Sequence, residues 1–340
     1  MTNFWRFVGR RALVTVPVLF LITLIGFVLT YLIPADPLTM VLSERAMANP
    51  EIVRAYRERW GLDAPPHVRY LTYVGNLVRG DLGTSIATQQ PVLEDLKTFI
   101  PATVELTVAA MVVAVVVGVP LGVIAAVRRE RWADHLARIG SIIGVSVPVF
   151  WLALLALVVF YYHLRLAPGP GRLDPHLTPP DPVTGLIIVD SLLGRRWDTL
   201  ADGLYHLALP ALVLGAYVMG TITRITRSSL LEVLAADYVR TARAKGVAER
   251  AVVIKHALRN ALIPTITVIG LAVGNLMAGA VMTETIFAWP GIGRYAVDAA
   301  SKLDFPAVMG VTLFVAVIYV AVNFLVDLGY SLLDPRIRLD

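Results

Sequence analysis

Long apolar stretches alternate with short charged segments along the chain, and six of the stretches contain no Asp, Glu, Lys or Arg. Since an α-helix rises about 1.5 Å per residue, about 20 such residues cross a bilayer core. A helix satisfies its own backbone in lipid, so each stretch predicts a transmembrane helix. The fourth is the shortest, and we expect its flanks to complete the crossing. The stretches are residues 13–33, 106–127, 139–162, 207–223, 261–283 and 305–326.

The pattern predicts an all-α integral membrane protein with six transmembrane helices and an outer segment between the first two. The loop between the second and third stretches carries Arg128, Arg129, Arg131 and Arg138. Short loops rich in Lys and Arg stay in the cytoplasm, so both termini are predicted to be cytoplasmic. The predicted divisions are 1–33 (amino terminus and first helix), 34–100 (outer segment), 101–326 (core of helices two to six) and 327–340 (cytoplasmic tail).

Composition supports a membrane protein and excludes other classes. The mean hydropathy is +0.70, and charged residues make up 16% of the chain, against about 25% in soluble domains. Cysteine is absent, which excludes disulfides, iron–sulfur clusters and thiolate nucleophiles. The net charge of +5 follows from cytoplasmic Lys and Arg, so we expect a lipid membrane and no nucleic acid as partner.

Motifs for catalysis, nucleotide binding and metal binding are missing from the sequence. It contains no Gly-Lys-Ser/Thr phosphate loop, no HExxH and no GxSxG, and its histidines lack metal-ligand spacing. The carboxylates closest to the apolar stretches are Glu105 and Glu284, both near predicted outer ends. Ion-coupled carriers place ionisable groups inside the membrane. We therefore expect neither such a carrier nor an enzyme, and no catalytic residue, metal or cofactor in this chain.

Both long outer segments are predicted to be ordered. Residues 34–100 contain an amphipathic helix that Pro65-Pro66 ends, and a second helix at 70–78. This segment fits either a cap on the bundle or a docking surface for an external partner. Residues 163–206 are rich in proline and glycine, which excludes one continuous helix. We expect an ordered loop at the mouth of a pathway.

Small residues within the stretches indicate tight packing between helices. They recur at the four-residue spacing that lets two helices approach closely, although this motif is weak by itself. Prolines inside the stretches are expected to kink them. The pairs are Gly118 with Gly122, Gly140 with Gly144, and Gly270 with Gly274; the prolines are Pro17, Pro120 and Pro148.

The inner segment 224–260 is too polar to lie in a core. Ser228 or Ser229 suits the N-cap of a helix, and the carboxylate of Glu232 suits its first turn. This helix is predicted to continue through Lys245, and Gly246 fits the left-handed position that follows a helix.

A second inner helix is predicted from about residue 248 to residue 259, with Pro264 beginning the next span. Physical reasoning leaves two interpretations of this helix-turn-helix. It is either a basic face beside anionic lipid or a helix that fits a groove of another protein.

Four stretches then carry a family resemblance. Residues 237–246, Asp-Tyr-Val-Arg-Thr-Ala-Arg-Ala-Lys-Gly, resemble the cytoplasmic coupling motif of ABC importer permeases. Residues 206–210, 256–264 and 284–293 extend the similarity to the dipeptide/oligopeptide/nickel branch. The amino-terminal arginines, first helix and long outer segment resemble its B-type membrane subunit. The general motif has Glu-Ala-Ala where this chain has Arg240-Thr241-Ala242, a departure typical of the peptide branch.

This resemblance implies a type I ABC importer permease in the bacterial cytoplasmic (inner) membrane. A second homologous permease would complete the pathway, two cytoplasmic ATPase subunits would bind ATP and Mg, and an extracytoplasmic solute-binding protein would deliver substrate. A coupling helix at about 229–246 would contact an ATPase through Glu232, Asp237, Tyr238, Arg240, Ala242, Arg243, Lys245 and Gly246. Candidate pathway or gate residues are Asn275, Glu284, Trp289 and Asn323.

Peptides are the substrates that the resemblance implies, with nickel, glutathione or another small solute as alternatives. A stand-alone channel or secondary carrier and a structural scaffold are alternatives from other classes. The lack of a charged pair at mid-membrane and the motif-bearing cytoplasmic helix disfavour a solitary carrier.

Overall fold

A computed structural model describes residues 2–32 and 38–333, and this part of the chain is almost entirely helical. The predicted tail at 327–340 lies partly outside the described residues. The first eight helices are α1 Thr2–Leu32, α2 Leu38–Val41, α3 Glu44–Met47, α4 Pro50–Trp60, α5 Pro66–Val78, α6 Val92–Val127, α7 Trp132–Ser146 and α8 Val149–Ala156. The others are α9 Ile187–Leu193, α10 Trp197–Leu234, α11 Asp237–Ala244, α12 Glu249–Ala251, α13 Leu258–Gly279, α14 Val281–Ile286, α15 Ile292–Ser301 and α16 Phe305–Leu333.

Four described helices are long and apolar enough to cross a membrane: Val92–Val127, Trp197–Leu234, Glu249–Met277 and Phe305–Val326. They contain the second, fourth and sixth predicted stretches and most of the fifth, whose last residues lie in α14. The first stretch lies in α1 as far as residue 32, where the described part of that helix ends, and its apolar section Leu13–Leu29 is shorter. The fourth crossing is extended by its flanks, as predicted.

The third predicted stretch, 139–162, is not one straight helix. It is divided between α7 and α8, which are bent by 104° at the break, and α8 continues as the π-helix Leu157–His163. Val147 has an extended backbone, with ψ 126°, because the ring of Pro148 disfavours helical geometry in the residue before it. The prediction of a kink at Pro148 is confirmed, and that of a single uninterrupted helix is wrong.

Both halves of this broken span pack along α10, which runs antiparallel to them. Near the carboxyl-terminal half of α10, a Cβ on Gly220 would lie 2.8 Å from the carbonyl oxygen of Ser141 in α7. Nearer its start, Leu209 and Val213 pack against Ala153 of α8. The pair therefore follows one long helix, as a broken span does.

The central core lies between α6 and α10. A Cβ on Gly122 would lie 2.7 Å from the Cβ of Thr226, and one on Gly215 would lie 2.7 Å from the carbonyl oxygen of Ala110. Such close approach requires residues without side chains, as predicted for Gly118, Gly122, Gly144 and Gly270; a Cβ on Gly274 would make ordinary contacts at 3.4 Å or more, and Gly140 has open space. The core residues are Ala102, Leu106, Ala110 and Ala114 of α6 with Leu207, Ala211, Leu214, Val218 and Ile222 of α10.

The outer segment packs on the bundle through α5. The Tyr70 hydroxyl lies 3.2 Å from the hydroxyl of Thr23 in α1, and its ring contacts Phe20 and Phe27. The segment therefore fits the predicted cap, although α4 ends at the left-handed Gly61, with φ 59°. Pro66 begins α5 and does not end α4, since proline suits the first position of a helix.

Candidate functional site

The predicted coupling helix is divided into two helices at residues 235–236. Ser228, Ser229 and Glu232 lie in the last turns of α10, and α11 is a separate helix of 8 residues. Ala236 has an extended backbone, with φ −70° and ψ 149°, and is the N-cap of α11 without a side-chain hydrogen bond. Leu234, Ala235 and Ala236 all favour helix, so tertiary packing sets this break. The predicted start at Ser228 or Ser229 is wrong.

The inner face of α11 is seated on the membrane helices. Val239 is fully buried, and its neighbours include Ala126 of α6 and Leu230 of α10. Val252, Val253, Ala257 and Ala261, on the path into α13, complete the cluster. Ala242 packs partly buried against the same group. α11 is therefore packed against the end of α6, the end of α10 and the segment that leads into α13.

The outer face of α11 presents charge. The side chains of Asp237 and Arg240 are 94% and 78% exposed, and Tyr238 and Lys245 are exposed as well. The Tyr238 hydroxyl accepts a hydrogen bond of 2.9 Å from the amide of Asn260. This face has the charge and exposure suited to a partner protein.

Arg243 has an internal partner instead. Its guanidinium donates to both carboxylate oxygens of Glu249, at 2.7 and 3.0 Å, and this pairing raises the pKa of Arg243. Another of its N–H groups donates to the carbonyl oxygen of Leu234 at 3.4 Å. Arg243 therefore braces the loop around α11.

Gly246 ends α11 in the left-handed conformation, with φ 76°, which confirms the prediction for this position. Its N–H donates to the carbonyl oxygen of Arg243 at 2.9 Å, and that of Val247 donates to the carbonyl oxygen of Ala242 at 3.3 Å. These two bonds form a Schellman motif, which turns the chain sharply after the helix.

The second inner helix is continuous with the next span. Three residues of α12 lead through the π-helix Val252–Ala257 directly into α13. Pro264 lies inside α13, so the prediction that it begins the span is wrong.

A second polar site surrounds Glu284 at the opposite end of the bundle. The buried Glu284 carboxylate accepts hydrogen bonds from the Thr103 hydroxyl at 2.6 Å and from the Arg294 N–H at 3.0 Å. The Thr103 hydroxyl also accepts from the N–H of Ile292 at 2.9 Å. Burial raises the pKa of the Glu284 carboxyl, and the hydrogen bonds that it accepts oppose that shift. We call the loop 287–291, together with α14 and the first turn of α15, the outer turn.

Trp289 fixes this outer turn to α6. Its indole Nε1 donates a hydrogen bond of 2.8 Å to the carbonyl oxygen of Ala102, and the side chain is buried. Glu284 and Trp289, both candidates for the pathway, therefore meet neighbouring residues of α6 and lie in the interior. Asn275 is exposed and Asn323 is half-buried; they lie in α13 and α16 and take no part in the hydrogen bonds around the outer turn.

The proline-rich loop contributes a cation that sequence reasoning missed. Arg172 pairs with Glu105 of α6 at 2.6 Å, and both side chains are nearly buried. Its guanidinium carbon lies 5.5 Å from the centroid of the Trp289 ring. Glu105 also accepts a hydrogen bond of 2.8 Å from the N–H of Ile188 in α9. The loop is thus ordered on the bundle, as predicted, and contains a helix that was not predicted.

We expect Arg172→Leu to destabilise the protein, because Glu105 would keep a buried charge without its cation, at a cost of about 3–5 kcal/mol. The measurement is the thermal unfolding temperature in detergent. Arg196→Leu breaks an exposed pair with Asp198 at the start of α10 and a hydrogen bond to the carbonyl oxygen of Thr178, and such an exposed pair is worth about 0–1 kcal/mol. Equal losses in the two variants would contradict the importance of the buried pair.

Comparison with known proteins identifies the class to which this arrangement belongs. Residues 118–339 match the family described as "Binding-protein-dependent transport system inner membrane component". Residues 4–107 match "Binding-prot-dependent transport system membrane comp, N-term". Together these matches define a multi-pass, membrane-spanning permease subunit of an ABC importer, with the all-α type I fold. The chain belongs to this family of inner-membrane transport components, which confirms the resemblance found in its motifs.

Relatives match over essentially the whole chain. A probable D,D-dipeptide transport system permease protein of Escherichia coli K12 is 48% identical over 335 residues, 98% of each chain. A di/tripeptide transport system permease protein of Pseudomonas aeruginosa is 47% identical over 332 residues, also 98% of each chain. An oligopeptide transport system permease protein of Bacillus subtilis is 38% identical over 337 residues, 98% of this chain and 99% of the relative.

Proposed function

We propose that this chain is the B-type permease of a bacterial importer for dipeptides and oligopeptides. Its whole-length similarity to permeases named for D,D-dipeptides, di/tripeptides and oligopeptides supports this substrate class. A second homologous permease completes the pathway in this proposal, and an extracytoplasmic binding protein delivers the peptide. Two cytoplasmic ATPase subunits bind ATP and Mg, and this chain holds no cofactor and no catalytic residue.

The proposed orientation places both termini on the cytoplasmic side of a bacterial inner membrane. The arginines of the loop before α7 and the exposed charges of α11 then lie on the same, cytoplasmic side. Residues 34–100 and 163–206 lie outside, where a binding protein docks. Residues 1–33, 101–326 and 327–340 correspond to the first helix with its amino terminus, the core and the tail.

The observation that carries the proposal is the two-faced geometry of α11. A short helix with one buried face and one charged face can fit a groove of a partner protein and move as a rigid body when the partner moves. We infer that Asp237, Tyr238, Arg240 and Lys245 contact an ATPase, while Ala242 belongs to the seat beneath the helix. Arg243 and Gly246 shape the loop, and Glu232 lies at the α10 end of it.

Closure of the ATPase pair would displace α11 together with its seat around Val239. Because that seat joins α6, α10 and the start of α13, the inner ends of these spans would move together. Asn275 and Asn323 remain our proposed pathway residues. We assign Glu284 and Trp289 to holding the outer turn in the conformation described.

The test is reconstitution in liposomes with the subunits that co-purify with this chain from its native membrane. Uptake of a labelled dipeptide that requires ATP, the ATPases and the binding protein would support the proposal. Flux through the chain alone would instead indicate a channel or secondary carrier. Uptake of nickel or glutathione without peptide uptake would replace the substrate class.

We expect Gly246→Val to reduce substrate-stimulated ATP hydrolysis and uptake while membrane insertion survives. A Cβ at Gly246 meets no atom within 4 Å, so the effect is backbone strain of about 1–2 kcal/mol from the left-handed conformation. Gly246→Asn is the matched control, since asparagine tolerates this conformation. Normal coupled hydrolysis in the valine variant would contradict the role of this turn.

A further inference from the structure

A buried ion pair joins the broken span to α10 near the cytoplasmic side. Arg227 of α10 donates to both carboxylate oxygens of Asp134, at 2.6 and 2.8 Å. Asp134 lies in the first turn of α7 and is fully buried. One of its oxygens also accepts a hydrogen bond of 3.0 Å from the N–H of Glu130. The two-point geometry fixes orientation as well as distance.

The other contacts between α7 and α10 are much less directional. Gly144 approaches the carbonyl oxygen of Ala216, and Gly220 approaches that of Ser141. Surfaces of glycine against backbone pack closely, but they contain no side-chain bond that resists sliding. Between α7 and α10, as the structure describes them, the Asp134–Arg227 pair is therefore the directional side-chain contact.

The buried cluster that holds α11 in place does not include the broken span. The buried residues around Val239 come from α6, α10, α11 and the segment 252–261, and none of these described residues belongs to α7. Arg227, in contrast, lies on α10 within two turns of its end at Leu234, after which α11 begins. Motion of α11 thus reaches α7 through α10, and also through the end of α6, which the loop 128–131 joins to α7.

At its other end the broken span meets the outer turn. Ala153 and Ala156 of α8 pack with the buried Phe287, which directly follows α14 and precedes Trp289 by two positions. The N–H of Gly171, in the proline-rich loop, donates to the carbonyl oxygen of Phe287 at 2.9 Å. The span therefore touches the inner end of α10 on one side of the bundle and the outer turn on the other.

We propose that Asp134 and Arg227 are positioning residues that make the broken span move with α10 when α11 is displaced. The inner displacement then reaches the outer turn through α7 and α8. Replacing a buried ion pair with apolar residues is often neutral or stabilising, so the pair's contribution here is orientation. This inference rests on the proposed role of α11 as the element that contacts an ATPase.

The first test uses the complete reconstituted complex and compares peptide uptake with ATP hydrolysis. Arg227→Lys keeps the charge and loses the two-point geometry, and the double variant Asp134→Leu/Arg227→Met fills the site with apolar groups. We expect both to assemble and to hydrolyse ATP, with peptide uptake per ATP lowered about tenfold, a size typical of coupling between sites. Arg129→Lys is the matched control, because Arg129 forms an exposed pair with Glu130 in the loop between α6 and α7.

The second test measures motion directly, which a merely structural role would leave unchanged. The chain has no cysteine, so spin labels can be placed on exposed positions by Leu136→Cys in α7 and Ser228→Cys in α10. The distance between labels should stay constant on ATP binding in the otherwise unaltered protein, and change in Arg227→Lys. A distance that changes in the former, or stays constant in the latter, overturns the proposal.

Two outcomes separate this inference from the proposed function. Unaltered uptake per ATP in both pair variants would reject the role of Asp134 and Arg227 and leave α11 as the coupling helix. Failure of the unaltered chain to bind an ATPase would reject the function of α11, and the inference with it. Loss of uptake and hydrolysis in equal proportion, with a lowered unfolding temperature, would assign the pair to stability alone.

Discussion

Gly291→Ala is expected to abolish transport by displacing the outer turn. A Cβ at this position would overlap both oxygens of the Glu284 carboxylate, and Glu284 is enclosed by Thr103 and the backbone of α15. Overpacking of this kind typically costs about 1–3 kcal/mol, and here it also separates a buried carboxylate from its donors. The measurements are the unfolding temperature in detergent and peptide uptake in liposomes.

Gly75→Ala provides the control for this substitution. Gly75 lies in α5, and a Cβ there meets no atom within 4 Å. Since alanine favours helix over glycine by about 1 kcal/mol, we expect unchanged or slightly raised stability. If Gly291→Ala behaved like Gly75→Ala, the enclosure of Glu284 would be looser than described.

Val239→Asp is expected to detach α11 from its seat and remove the ATPase from the complex. An unpaired carboxylate in the cluster around Val239 cannot be satisfied, and burying even a neutral polar group without a partner costs about 1–3 kcal/mol. Because the helix has only 8 residues, we expect it to leave the bundle while the spans remain folded. ATPase recovered with the purified permease should fall about tenfold for each 1.4 kcal/mol lost.

Val239→Ile tests whether an apolar side chain suffices at this position. It keeps the site apolar and adds one methylene, so we expect a smaller loss of stability than in Val239→Asp and recovery of most of the ATPase. Full ATPase recovery in Val239→Asp would show that the seat does not hold α11 in the complex. Loss of the permease itself from the membrane would show that the cluster stabilises the bundle.

The spans were predictable because their cause is local and strong. Six charge-free stretches identify the bundle, and Gly246 was recognised because a single residue determines the left-handed turn. The break between α10 and α11 was not predictable, since Ala235 and Ala236 both favour helix and give no sign that the helix ends there. Pro148 indicated a kink, but its large angle depends on how α7 and α8 pack against α10.

The sequence also did not reveal which charged side chains pair with partners far away along the chain. Glu105 was recognised as a carboxylate near an outer end, but nothing local connects it to Arg172. Asp134 has arginines on both sides in the sequence, whereas the cation that it pairs with is Arg227 on α10. The charge pattern contained a signal for both pairs, since a carboxylate that becomes buried requires a cation. Which cation pairs with each carboxylate depends on the fold and cannot be read from the local sequence.

The outer network has a consequence for the order in which the protein is made. Synthesis proceeds from the amino terminus, so Ala102, Thr103 and Glu105 are inserted before Arg172, and long before Glu284 and Trp289 exist. When α6 is inserted, the Glu105 carboxylate and the Ala102 carbonyl oxygen therefore lack their hydrogen-bond donors. The proline-rich loop supplies the donors to Glu105, and the outer turn later supplies the donor to Ala102. The side of the bundle that carries the outer turn is therefore completed late, after α13 has left the ribosome.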